Sequence, residues 1–176
     1  MSDRHVMLVY CDGAYFAGNA AASVRVGGET LHFKGKAILD AALADLASRH
    51  GLGTATDVVL GGCSAGGIAV FAHVDYVSRA LETLSPSARV AGFADSGFYA
   101  DVPYYTTQKQ FPFHAQNASA TLSPECLGAN AARPWACLVA AVNAKYVRTP
   151  LFAWQSKVTV ANGRRFLAFL ERGSSW

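Results

Sequence analysis

An apolar run, Val58-Val59-Leu60, enters Gly61-Gly62-Cys63-Ser64-Ala65-Gly66-Gly67, and an apolar, Ala-rich run from Ile68 leaves it. No other feature constrains the chain as much. A strand that delivers a serine to a sharp turn, with a helix starting directly behind it, is the arrangement of a nucleophile elbow. The pattern predicts that Gly62 and Gly66 flank Ser64 because a Cβ at either would collide across the crossing of strand and helix. Ser64 Oγ would then stand exposed, with the Ala65 amide at the helix N-terminus aimed at a developing oxyanion. The plain alternative is a Gly/Ser turn before an ordinary helix, since a bare GxSxG is common. The flanking strand and helix patterns favour the elbow.

The rest of the chain alternates in the same way. Val6 to Tyr10 reads as a short buried strand, closed by the turn signal Cys11-Asp12-Gly13. Residues 14–28 are small and Gly-rich, hence a loop, and Leu31-His32-Phe33 reads as a brief edge strand. From Lys36 to His50, Ile38, Leu39, Ala42, Leu43 and Leu46 recur at helical spacing, and Gly51 and Gly53 end the run. Asp57 to Leu60 is the elbow strand. Ser64 to Leu84 is the elbow helix, with Val70, Val74, Val77 and Leu81 as its apolar stripe. Arg89 to Ala94 and Pro150 to Gln155 are further strands, separated by a long, weakly periodic insertion over residues 101–146. Residues 163–176 give a weak helical signal at Phe166 to Leu170. This order predicts an α/β fold, a mostly parallel sheet with helices on both faces.

Composition excludes several classes. The 176 residues suit a single domain, and 52% hydrophobic against 15% charged residues marks a globular chain. A net charge of +3 without a Lys/Arg cluster gives no case for a nucleic-acid partner. No stretch approaches the roughly 18–20 apolar residues of a membrane span. The first residues run straight into Val6, without the apolar region and cleavage site of a signal peptide. No Cys/His group has zinc spacing and no phosphate loop or dinucleotide fingerprint occurs, so neither metal nor cofactor is expected. Oligomeric state is not legible.

Four blocks then stand in a telling order: Tyr10-Cys11-Asp12-Gly13-Ala14, Gly62-Cys63-Ser64-Ala65-Gly66-Gly67, Ala94-Asp95-Ser96-Gly97-Phe98, and Thr149 to Phe152 continuing to Gln155-Ser156. Together they resemble the pectin acetylesterase family, to which Notum-type deacylases also belong, over about residues 5 to 157. The resemblance implies an α/β-hydrolase fold and a serine carboxylesterase that removes acyl groups, most often acetyl from pectin. It also implies secretion, a cell-wall setting and disulfides. Cys126 and Cys137 enclose the ten residues 127–136, and the resemblance supports their pairing; two reduced thiols are the alternative. Cys63 precedes the nucleophile and is read as core. Cys11 is read as having lost a partner upstream.

The chain departs from the family where chemistry is at stake. The family's GGGW-type loop, which adds oxyanion donors, would precede the first residue. Its catalytic acid is expected after the last strand, where this chain reads Val158-Thr159-Val160, and its histidine further on. No Asp occurs after Asp101 and no His after His114. The tail, residues 158–176, stops resembling the family abruptly, as in a truncated or misread gene. The expectation is therefore one incomplete α/β-hydrolase domain.

A substitute relay is conceivable on chain order: Ser64, then Asp95 at a strand end, then His114. The bland reading makes Asp95 a cap of the Ser96-Gly97 turn and His114 an insertion-loop side chain. Asp12 is either substrate-contacting or a turn residue. His73 lies nine residues beyond Ser64, too far along the helix to reach it, and is read as surface or partly buried. Two functional classes remain. One is a serine esterase of acetylated polysaccharide or a related acyl ester, with this chain weakly active or inactive. The other is a non-catalytic relative that binds glycan or acyl groups.

Overall fold

The computed structural model describes residues 4–156 of the protein. Val158-Thr159-Val160 and the helical signal at Phe166 to Leu170 lie outside them. Two sheets form. One is an antiparallel hairpin of β1 (Val24–Val26) and β2 (Glu29–Leu31). The other is a parallel sheet in the order β3 (Asp57–Cys63), β4 (Arg89–Asp95), β5 (Leu151–Trp154). Helix α1 (Gly35–Arg49) precedes β3, and α2 (Ala65–Leu84) crosses from β3 to β4. Between β4 and β5 lie four short helices, α3 (Pro103–Gln108), α4 (Gln110–His114), α5 (Pro124–Ala129) and α6 (Ala140–Asn143), with a 3-10 segment at Pro134–Leu138.

The parallel sheet follows from the β3–α2–β4 unit, because a helix of this length returns the chain to the same sheet end. Helix α2 is the centre of the molecule. Its predicted stripe, Val70, Val74, Val77 and Leu81, is fully buried, and Phe71, Ala72 and His73 widen the buried arc. That arc serves three clusters. Val70, Phe71 and Val74 pack with Ala94, Ala140 and Val147. Val77 and Leu81 pack with Leu39, Leu43 and Phe16. Ala72 meets Leu122, Leu138, Val139 and the Cys126–Cys137 disulfide, which is formed. The insertion is thus a small apolar subcore rather than an irregular loop, and its short helices are why no long periodicity marks it.

Several expectations are corrected. Val6 to Tyr10 is not a strand: no ladder is assigned to it, and Val6, Met7 and Val9 are exposed. An apolar run becomes a strand only when its backbone finds a paired neighbour, and here only Leu8 reaches the core. The expected loop over 14–28 ends in the β1–β2 hairpin, whose Gly27 and Gly28 both have positive φ, at 56° and 89°. Val-Arg-Val-Gly-Gly-Glu-Thr-Leu carried that signal in the sequence. Helix α2 covers one face of the parallel sheet, against Leu60, Ala94, Leu151 and Ala153. Among the described residues the other face stays open: Val59, Phe152 and Trp154 are 67%, 59% and 64% exposed. The expected parallel sheet with helices is present, and among the described residues the helices lie on one of its faces.

Candidate functional site

Strand β3 ends at Cys63, and Ser64 takes φ 55° and ψ −112° before α2 begins at Ala65. This is a strained conformation for a residue with a Cβ, and it reverses the chain within one residue. The turn is fixed from below. Ser64 N–H donates to Asp95 O at 2.8 Å, and Ser96 N–H donates to Trp154 O at 2.7 Å, carrying the sheet's pairing past its strand ends.

The glycines divide the work differently from the sequence expectation. A Cβ on Gly62 would overlap the backbone of Gly66, as predicted. A Cβ on Gly66 itself would meet nothing within 4 Å, so Gly66 needs no bare Cα of its own. The second tight contact is Gly67 against Gly97: a Cβ on Gly67 would sit 2.7 Å from Asp95 O, and one on Gly97 would overlap Gly67. Helix α2 can start so close to the ends of β3 and β4 only because both residues lack side chains.

Ser64 is exposed, and its side chain makes no capping hydrogen bond to α2. The amides of Ala65, Gly66 and Gly67 belong to the first turn of a 20-residue helix, which leaves them without intrahelical acceptors and carries partial positive charge. A tetrahedral oxyanion formed at Ser64 would find the Ala65 amide there.

The other candidates do not complete a relay. Asp95 lies beside the elbow, but its Oδ1 accepts from Ser96 Oγ at 2.8 Å. Its carboxylate also accepts from the Cys63 thiol, which holds the thiol protonated by pushing its pKa up. Cys63 is free and exposed on the open sheet face, not core as expected. His114 is exposed on α4, where its ring meets Phe113 and Trp135. It hydrogen-bonds neither Ser64 nor Asp95. All five histidines, at 5, 32, 50, 73 and 114, fall within the described residues, and none is bonded to Ser64.

His73 is 2% exposed, more deeply buried than the surface or partly buried position expected of it. Its Nε2 lies 2.6 Å from Tyr15 O and so carries the hydrogen, leaving Nδ1 buried without a partner. Burial pushes its pKa down to about 4. Asp12 is buried too. Its Oδ1 accepts from Phe16 N at 3.0 Å, the turn role, while Oδ2 fills the space that a side chain on Gly35 would need. That turn is strained at two consecutive residues, Tyr15 and Phe16, with φ of 60° and 62°. The described residues hold no His/Cys/Asp/Glu group fit for a metal ion. A cavity of about 640 Å³ lies between Arg4–Leu8 and α1, and no serine, threonine or cysteine lines it.

The elbow on a parallel sheet now meets the comparison that decides the family. The profile described as Pectinacetylesterase matches residues 3–168. The chain belongs to the pectinacetylesterase family. It is 32% identical over 154 residues to pectin acetylesterase 5 of Arabidopsis thaliana, covering 84% of this chain and 34% of that protein. To human palmitoleoyl-protein carboxylesterase NOTUM it is 35% identical over 101 residues, 57% of this chain and 20% of that one. The structure is similar to that of the Drosophila Wnt deacylase Notum, with a TM-score of 0.73 and 25% identity over 83% of this chain and 44% of that structure. The chain thus spans about a third of the curated pectin acetylesterases it matches first.

One further group carries no signal in the residue pattern. Lys109 of the insertion is 4% exposed and donates from Nζ to Tyr15 Oη at 2.5 Å. The two residues are 94 positions apart, beyond the reach of any local pattern.

Proposed function

We propose that this chain is the elbow-bearing part of a serine carboxylesterase acting on acetyl or related acyl esters of pectin or a similar glycan. The observation that carries the reading is Ser64, held at φ 55° between β3 and the free amides of α2. Its Oγ would attack the ester carbonyl and release the alcohol, and water would then hydrolyse the acyl-enzyme. Membership of the pectinacetylesterase family supports the ester class, and the disulfide fits an oxidising, extracellular setting such as the cell wall. No described helix is long and apolar enough to cross a membrane.

The same reading makes the 176-residue chain a slow enzyme. Serine is a weak nucleophile without a base, and no histidine of this chain reaches Ser64. Loss of a relay in a serine protease costs on the order of 10⁶ in rate, its members acting as a unit. Hydrolysis of p-nitrophenyl acetate by the chain and by Ser64→Ala tests this: both are expected near the uncatalysed background. Robust turnover that disappears in Ser64→Ala would confirm the nucleophile and overturn the claim of low activity. A non-catalytic glycan-binding relative is the second reading, favoured by Asp95 being engaged with Ser96 and Cys63 rather than with a histidine.

A further inference from the structure

The turn after Asp12 is held at every polar group of Tyr15. Its N–H points at Tyr10 Oη at 3.4 Å, its C=O accepts from His73, and its hydroxyl accepts from Lys109. Strain in two adjacent non-glycine residues persists only where the surroundings over-determine it, and such strain clusters where a protein presents a side chain to a ligand. The side chain presented is the Tyr15 phenol. A lysine ammonium donates and cannot accept, so the hydrogen of the Tyr15 hydroxyl points away from Lys109. Among the described residues no acceptor receives it. Burial raises the Tyr15 pKa and keeps the phenol protonated, and the ammonium behind it strengthens the hydroxyl as a donor.

Lys109 has the complementary deficit. Its Nζ faces the rings of Tyr15 at 4.5 Å and Tyr99 at 5.9 Å, and burial pulls its pKa down. Ring faces offset part of the cost of a buried cation. No carboxylate pairs with it among the described residues; Asp12, the acid near Tyr15, turns into its own loop toward Phe16 N–H. Beside this pair Tyr10 offers a half-exposed ring, stacked on Tyr15 at 6.2 Å and 8°.

We propose that Tyr10, Tyr15 and Lys109 form a subsite for an acidic sugar unit, whose carboxylate accepts from the Tyr15 hydroxyl with Lys109 as counter-charge and whose ring lies on Tyr10. His73, which holds Tyr15, lies nine residues along α2 from Ser64, about 13.5 Å at 1.5 Å per residue. Held through His73 at that remove along α2, the subsite would take a uronate unit other than the one whose ester is presented to Ser64. It takes the class of its ligand from the acetylated-polysaccharide reading above.

The test uses trigalacturonate, which carries no ester, so the result is independent of turnover and of Ser64. Calorimetric titration into the 176-residue chain should show binding, and neutral galactotriose should bind at least about ten-fold more weakly. Tyr15→Phe removes only the hydroxyl and should weaken trigalacturonate binding about ten-fold or more, the scale of one hydrogen bond to a charged group. Lys109→Met should do the same; as Lys109 is buried, Lys109→Arg, which keeps the charge, and Tyr10→Ala on the surface guard against a folding defect. Absence of trigalacturonate binding, equal binding of the neutral sugar, or a Tyr15→Phe variant that binds like the parent would each overturn the proposal.

Discussion

Burial of His73 makes the stability of this protein depend on pH in a definite window. The folded pKa is about 4, against an ordinary value of 6.5 in the unfolded chain. A depressed histidine pKa means the unfolded state binds the proton first, so stability is complete above pH 6.5 and falls as pH drops toward 4. The cause is local: Nε2–H is committed to Tyr15 O, and a proton on Nδ1 would enter a site with no acceptor. Each pKa unit corresponds to about 1.4 kcal/mol, so lowering the pH from 7.5 to 4.5 should cost about 2–3 kcal/mol through this residue alone. That is a large share of the 5–15 kcal/mol typical of a domain. Urea unfolding of the parent and of His73→Gln at both pH values measures it, because glutamine can keep the bond to Tyr15 O without titrating. All other acids and bases contribute alike to both proteins, so the difference isolates His73. Parallel loss of stability in the two proteins, or a gap that opens above pH 6.5, would refute the reasoning.

The glycine contacts give a sharper contrast: Gly97→Ala or Gly67→Ala should cost at least about 2–3 kcal/mol by thermal unfolding, whereas Gly66→Ala should be neutral or stabilising by up to about 1 kcal/mol. Peptide mass spectrometry without reduction should show the Cys126–Cys137 cross-link, and Cys126→Ala with Cys137→Ala should destabilise by about 2–3 kcal/mol. Iodoacetamide at mildly alkaline pH should modify Cys63 faster in Asp95→Asn than in the parent, because the carboxylate that raises the thiol pKa is gone; equal rates would contradict the pairing.

What the residue order determined was everything built from neighbours in the chain. The elbow, the stripe Val70, Val74, Val77 and Leu81 and the strand–helix–strand crossover rest on local periodicity and on glycines within a few residues of Ser64, and the family blocks rest on short runs of neighbouring residues in a fixed order. The disulfide was legible only through the resemblance. Tertiary structure decided the rest, because it depends on which distant groups meet. Val6 to Tyr10 has the residues of a strand but finds no ladder partner among the described residues. Gly67 rather than Gly66 takes the tight contact, since Gly97 arrives from β4 thirty residues later. His73 is buried because the 12–17 turn folds over α2 and supplies Tyr15 O. Cys63 faces outward because side chains alternate along β3 and α2 covers only the other face. His114 makes no bond to Ser64 because α4 carries it against Phe113 and Trp135 at the exposed surface of the insertion. A spacing rule sees separation along the chain, whereas hydrogen bonds, burial and charge depend on separation in space, and the insertion between β4 and β5 makes the two unequal.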